Sequence, residues 1–325
     1  MSKRKGITRR DLLKGAALGT VAVAAATAGG SRGLGLLVPR MWGAPRVIAS
    51  TLVPQIPLPG RNVLKWVDPL PHFAGARVDG TTPLTVTMEE FQQTVLPSTF
   101  VYPAPFTGTW VWGYNVGGAG ALYPGFTVEA LRGSPTTMTY VNNLPISGSI
   151  VQQYITFDQS VHWANPDGVP MMVGMTGNPT PYTGSPPAVV HLHGGEVPSD
   201  YDGGPDQWFT SELLPPPPGH NTKGPGYRSA TPGLSNQAVY VYPNDQDATT
   251  LWFHDHTLGA TRLNVYAGLA AFYFLRDWTQ ERPDLPGGPN DVTVQEPLPG
   301  GGFRTYKPEI EIAIQDRMFD TNGQW

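Results

Sequence analysis

Thr250-Leu251-Trp252-Phe253-His254-Asp255-His256 and Ala188-Val189-Val190-His191-Leu192-His193 are the two stretches on which the reading of this chain turns. Each opens on β-branched or apolar residues, which favour a pleated surface, and each ends in His-x-His. Strand side chains alternate faces with period two, so the histidines of each pair point the same way. If the two strands lie near each other, four of the chain's seven histidines converge. Imidazole suits copper, zinc, iron or nickel, so the pattern predicts a metal site without naming the metal. One His-x-His is commonly two solvated histidines; two of them on apolar strands read as a ligand set.

The rest of the chain fits a β protein. Among 325 residues, 39 Gly and 35 Pro leave little room for helices, while 40% hydrophobic residues suffice for a core. Residues 84–88, 109–114, 126–130, 137–141, 238–242 and 269–275 read as strands, punctuated by Pro124-Gly125, Asn142-Asn143 and Asn244-Asp245. The run 238–242 precedes the second histidine strand by a short connection, so those two are expected as antiparallel neighbours. Residues 167–187 read as a loop carrying Met171, Met172 and Met175, a gap-filling cluster or a soft Cu(I) patch. Residues 282–299 read as a linker, and residues 310–314 as a new strand. Asn322-Gly323 is a hairpin signal.

The N-terminus reads as an export signal. Lys3, Arg4, Lys5, Arg9, Arg10 and Lys14 precede an Ala/Gly-rich stretch too weakly apolar for a stable membrane span. Ala26-Thr27-Ala28 offers a small-residue cleavage site, and Thr8-Arg9-Arg10-Asp11-Leu12-Leu13-Lys14 resembles the twin-arginine motif. The expected destination is the periplasm or the cell exterior. Setting residues 1–28 aside removes six basic residues and one acid, which takes the net charge from −4 to −9. So acidic a remainder is a poor partner for nucleic acid or an anionic membrane. The chain has no cysteine, which excludes disulfides, thiolate chemistry and Cys-ligated metal within it.

Asp255 lies between two like-facing histidines and should face the opposite side of its strand, so it is not expected as a ligand. Asp202, followed by Gly203-Gly204, is either a residue that orients a liganding histidine or an ordinary turn aspartate. His72, His162 and His220 fall in expected loops and are read as exposed rather than liganding.

His191-Leu192-His193-Gly194-Gly195, Asp202-Gly203 and Trp252-Phe253-His254-Asp255-His256-Thr257 together resemble the multicopper oxidases. Arg262-Leu263-Asn264-Val265-Tyr266-Ala267-Gly268-Leu269 narrows the resemblance to bacterial spore-coat laccases, bilirubin oxidases and phenoxazinone synthases. Trp112-Gly113-Tyr114-Asn115, Tyr123-Pro124-Gly125, Asn142-Asn143-Leu144-Pro145 and Ile314-Gln315-Asp316-Arg317 are similar to that branch too. The resemblance implies an all-β, cupredoxin-like Greek-key sandwich as the first of three domains. It divides the chain into a twin-arginine signal and lead-in (1–49), a cupredoxin-like domain (50–280), and a linker with the first strands of an incomplete second domain (281–325).

In the family, copper couples one-electron oxidation of a small reducing substrate to reduction of O2 to water. By motif position His191 would bind type 2 copper, His193 and His254 one copper of the type 3 pair, and His256 the other. Asp202 would assist proton supply. The family's third-domain motifs, His-Pro-x-His-x-His and His-Cys-His, are absent here, so half of the trinuclear cluster's ligands and the type 1 site are missing. The expectation is the N-terminal part of an oxidase of phenols, bilirubin-like compounds or metal ions, inactive alone, with a second polypeptide carrying domains 2 and 3 as partner. The alternative is a non-catalytic, exported copper-binding protein; a zinc or other His-ligated enzyme is a weaker third.

Overall fold

The structure, a computed structural model, describes residues 53–69, 76–168, 181–213, 216, 218–230, 233–277, 279, 294–297, 303–306 and 311–325. Two units divide the chain, Met1–Arg46 and Val47–Trp325, of which the first lies outside the described residues. So do the export motif, His72, Met171, Met172 and Met175.

Two mixed five-stranded sheets form the body. The first runs β4 (Ala121–Leu122), β3 (Thr109–Val116), β2 (Leu84–Gln93), β6 (Thr136–Asn142), β8 (Gln237–Tyr242). The second runs β1 (Arg77–Asp79), β5 (Gly125–Leu131), β10 (Ala270–Arg276), β9 (Thr249–Asp255), β7 (Val190–His193). A helical turn, α1 (Val151–Tyr154), and a helix, α2 (Thr261–Ala267), interrupt the strands. The runs 84–88, 109–114, 126–130, 137–141 and 238–242 fall on strands, and the apolar run 269–275 does so from Ala270 on, as read from the sequence.

The sheets pack face to face as a sandwich. Tyr114 of β3 and Tyr140 of β6 stand 5.1 and 6.2 Å, ring centre to ring centre, from Phe253 of β9. Tyr242 of β8 meets Tyr273 of β10 edge-on at 6.0 Å. All five rings are fully buried. This arrangement agrees with the cupredoxin-like sandwich implied by the resemblance.

Three details differ from the sequence reading. Strands β8 and β9 are not neighbours: β8 pairs with β6 and β9 with β10 and β7, so the short connection between them crosses from one sheet to the other. Within residues 282–299, read as a linker, β11 (Val294–Pro297) pairs with β12 (Phe303–Tyr306) as an antiparallel hairpin. Residues 310–314 are read as a strand; of these, 311–314 are described and join no ladder among the described residues. Arg77 Nε instead holds Glu311 by a 2.6 Å ion pair, and Ile314 stays exposed.

The last residues dock on the sandwich. Gln324 Nε2 donates to the Gly108 carbonyl, the Trp110 N–H donates to Gln324 Oε1, and Trp325 packs against Val111 and Tyr123. The chain does reverse at Asn322-Gly323, where Gly323 adopts φ +75° and the Asp320 N–H donates to the Gln324 carbonyl.

Phe253 spans the gap between the sheets immediately before His254. Phe253→Ala should therefore cost about 3–5 kcal/mol, read as a lower midpoint in urea denaturation; an unchanged midpoint would contradict this packing.

Candidate metal centre

The two histidine strands are direct neighbours. Strand β7 pairs antiparallel with β9 in a register that sets Val190 opposite Asp255, His191 opposite His254, Leu192 opposite Phe253 and His193 opposite Trp252. Alternation then sorts the faces. Val190, Leu192, Leu251, Phe253 and Asp255 turn into the sandwich and are buried. His191, His193, Trp252 and His254 take the outer face. Beyond the last residue of β9, the His256 N–H donates to the Val189 carbonyl, which carries His256 onto that same face.

The four imidazoles gather in one open cleft of about 420 Å³. Their ring centres lie 4.9 Å apart for His191–His256, 5.3 Å for His193–His254 and 5.7 Å for His191–His193 and His191–His254. Thr261, Arg262, Val265 and Tyr266 of α2, together with Arg317, complete the wall. Asn264 Nδ2, buried on the same helix, donates to the Pro187 carbonyl just before β7.

Backbone carbonyls orient two of the rings. His191 Nδ1–H donates to the Asp202 carbonyl at 2.6 Å, and His254 Nδ1–H donates to the carbonyl of its neighbour Asp255 at 2.7 Å. Each bond fixes the tautomer and leaves Nε2 with its lone pair. Nδ1 of His193 lies 3.1 Å from Nε2 of His254. Nδ1 of His256 is buried with no hydrogen-bond partner among the described residues.

Asp202 thus lies beside His191, as the sequence reading allows, and its backbone makes the closer contact. Its carboxylate Oδ1 is 3.3 Å from the same Nδ1, and its side chain is 43% exposed. Gly203 makes this approach possible. Its φ is +68°, and a Cβ there would lie 1.8 Å from the Val190 carbonyl oxygen. Any side chain at that position would force the loop away from β7.

Asp255 points inward as predicted, but it has a job that the alternation argument did not supply. Its carboxylate accepts from the Val189 N–H (3.0 Å), the Thr257 N–H (3.0 Å) and Thr257 Oγ1 (2.9 Å). One buried carboxylate therefore clasps the start of β7 to the end of β9. The available signal was the Asp-x-Thr spacing, an aspartate bonding its own chain two residues on. Trp252 was likewise missed as a site residue: it stacks on His254 and His193.

The other described histidines, His162 and His220, are not part of this cleft. His162 is exposed, as expected. His220 differs from its reading: it is half-buried between Asp167 (2.7 Å) and Glu212 (2.8 Å), each holding one ring nitrogen. Burial pulls its pKa down, but hydrogen bonds to the two carboxylates outweigh this and raise it overall.

Comparison with known proteins follows the same line. No protein-family model matches the chain. A laccase of Bacillus subtilis (strain 168) is 33% identical over 186 residues, covering 57% of this chain and 29% of that protein. A laccase of Bacillus stratosphericus is 34% identical over 215 residues, 66% of this chain and 31% of that protein. Multicopper oxidase LPR1 homolog 5 of Oryza sativa subsp. japonica is 30% identical over 267 residues, 81% of this chain and 33% of that protein. The chain belongs to the multicopper oxidases. It spans 29–33% of the length of these curated relatives.

Membership in the multicopper oxidases implies copper as the cofactor. The donor set fits. Two imidazole nitrogens that share an ion at about 2.0–2.1 Å stand roughly 3 Å apart, and the His193–His254 nitrogens are at that spacing. A ligand must be neutral, and burial lowers the pKa of His254 to about 4. Burial, followed by the nearby His191, lowers that of His256. Among the described residues no three His, Cys, Asp or Glu side chains form a group that could hold one ion alone. No helix among the described residues is long and apolar enough to cross a membrane.

Adjacent residues titrate in opposition. Burial pushes Asp255 up to about 6 from 3.8, against the pull of its hydrogen bonds. With a raised folded pKa, its stabilising contribution is full below about 3.8 and is lost as pH rises through 6. His254, depressed from 6.5 to about 4, contributes stability above 6.5 that is lost as pH falls through 4. The two slopes oppose each other over nearly the same window. His254→Asn removes one of them, so the metal-free variant should lose stability relative to wild type as pH rises from about 4 to 6. Urea denaturation across that range checks it; parallel profiles would contradict the opposition.

Proposed function

We propose that this chain supplies half of the ligands of a trinuclear copper cluster in an exported, laccase-like or bilirubin-oxidase-like enzyme. The single observation that carries the reading is the gathering of four imidazoles on the outer face of β7 and β9, two of them with nitrogens 3.1 Å apart. His191 is read as the type 2 ligand, His193 and His254 as ligands of one type 3 copper, and His256 of the other. Bound copper would supply the one-electron chemistry that couples oxidation of phenols, bilirubin-like compounds or metal ions to reduction of O2 to water.

The chain's own part is to hold and orient the rings and to manage protons. His193 Nδ1–H donates to His254 Nε2 in the metal-free chain. Ligation through that nitrogen requires the proton to move to Nε2 of His193, a residue open to water. The half-exposed carboxylate beside His191 supports Asp202 as the proton carrier. With no cysteine among these residues for type 1 copper, the chain is read as inactive alone, requiring a polypeptide that brings a cysteine and the remaining ligands.

The test is copper loading of the purified chain. Wild type should retain copper after dialysis, without blue absorption and without consuming O2 alongside a phenol. Replacing all four histidines by Ala should abolish retention. Undiminished copper in that variant sinks the assignment. Steady O2 consumption by the lone chain sinks the claim that it is incomplete. The absence of cysteine also favours a second reading, a non-catalytic copper-binding protein; reversible copper uptake with no gain in activity upon adding a cysteine-containing partner would support it.

Export by the twin-arginine route is part of the same proposal, supported by the basic motif around Arg9 and Arg10. A reporter carrying residues 1–50 should reach the periplasm, and the double substitution Arg9→Lys, Arg10→Lys should hold it in the cytoplasm. Equal export of both would count against this route.

A further inference from the structure

Trp252 stands on the same outward face of β9 as His254 and directly opposite His193 in the β7 register. Its ring lies 4.1 Å from His254 at 31° and 5.2 Å from His193 at 27°. These are the two histidines whose nitrogens approach to 3.1 Å. Among the described residues, His193 has no backbone carbonyl fixing it of the kind that fixes His191 and His254. Trp252 is 37% exposed and lies outside the sandwich core, so packing between the sheets does not explain a residue of this size there. It lines both the histidine cleft and the neighbouring apolar pocket formed with Pro124, Ala271 and Phe272.

We propose that Trp252 is a positioning residue: its flat indole face holds His193 and His254 as a preformed pair of nitrogen donors. This rests on the four-histidine reading of the site. A flat, near-parallel surface restricts rotation of each imidazole about its terminal torsion, which is otherwise broad. Ordering the pair before metal arrives removes part of the entropic cost of binding.

The experiment titrates copper(II) ions alone into the metal-free full-length chain, with a chelator as competitor, and records the electron paramagnetic resonance spectrum of the bound ion. Residues surrounding a metal ligand typically contribute roughly tenfold to a hundredfold in affinity. Trp252→Leu, which keeps apolar bulk but loses the flat ring, should weaken binding on that scale and broaden the nitrogen hyperfine pattern. Trp252→Phe, which keeps a flat ring, should restore both. Trp252→Gln provides a second variant without a ring. Thermal unfolding of each metal-free variant should match wild type, since the residue lies outside the core. Equal affinity and identical spectra for Leu, Gln and Phe variants would overturn the proposal. So would loss of fold in both ringless variants, which would make Trp252 structural. Failure of wild type to bind copper at all strikes instead at the four-histidine reading, so the two failures are told apart.

Discussion

The antiparallel register of β7 on β9 is the constraint on which the site depends. A slip of one residue would flip every side chain on the moving strand to the other face. His191 and His193 would then enter the sandwich, while Val190 and Leu192 met solvent. The inward faces hold the register: Leu192 lies opposite Phe253, and both are buried. Asp255 adds a directional lock, because its carboxylate accepts hydrogen bonds from the segment before β7 and from the segment after β9. Hydrophobic packing thus decides which face the histidines take, and the buried carboxylate decides how far along the strands they sit.

Much of this was legible in the sequence. Strand positions followed from alternation, and the shared outward face of each His-x-His pair followed from the same period of two. The crossing of the chain between β8 and β9 was not legible, since a short connection looks the same whether it stays in one sheet or changes sheets. The docking of residues 311–325 was hidden for a similar reason. An apolar alternating run such as 310–314 signals willingness to form a strand, but a ladder needs a neighbour, and the sequence does not say whether one is near. Asp255 was placed on its face correctly without its purpose, because its partners include a backbone N–H from another strand. Trp252 looked like ordinary strand filling until its contacts with two imidazoles were seen.

Two of the four rings on this face resist protonation. Burial disfavours protonation of His254 and His256, and neighbouring rings lower the affinity of these two for protons further. The carboxylate of Asp202, 3.3 Å from His191 Nδ1, is half in water. Polar ring nitrogens taken out of water need partners; here backbone carbonyls accept from Nδ1–H of His191 and of His254, and the cleft stays open.

The loop at Asp202 and Gly203 divides two tasks within a single residue. The contact that fixes His191 comes from a main-chain oxygen, which every amino acid possesses, whereas the acid beside it belongs to the side chain. Gly203 keeps that main-chain oxygen in reach whatever stands at position 202. The acidity next to the ring is therefore a tunable property layered on an invariant anchor, and descendants of this chain could retune or silence it without disturbing the geometry beneath.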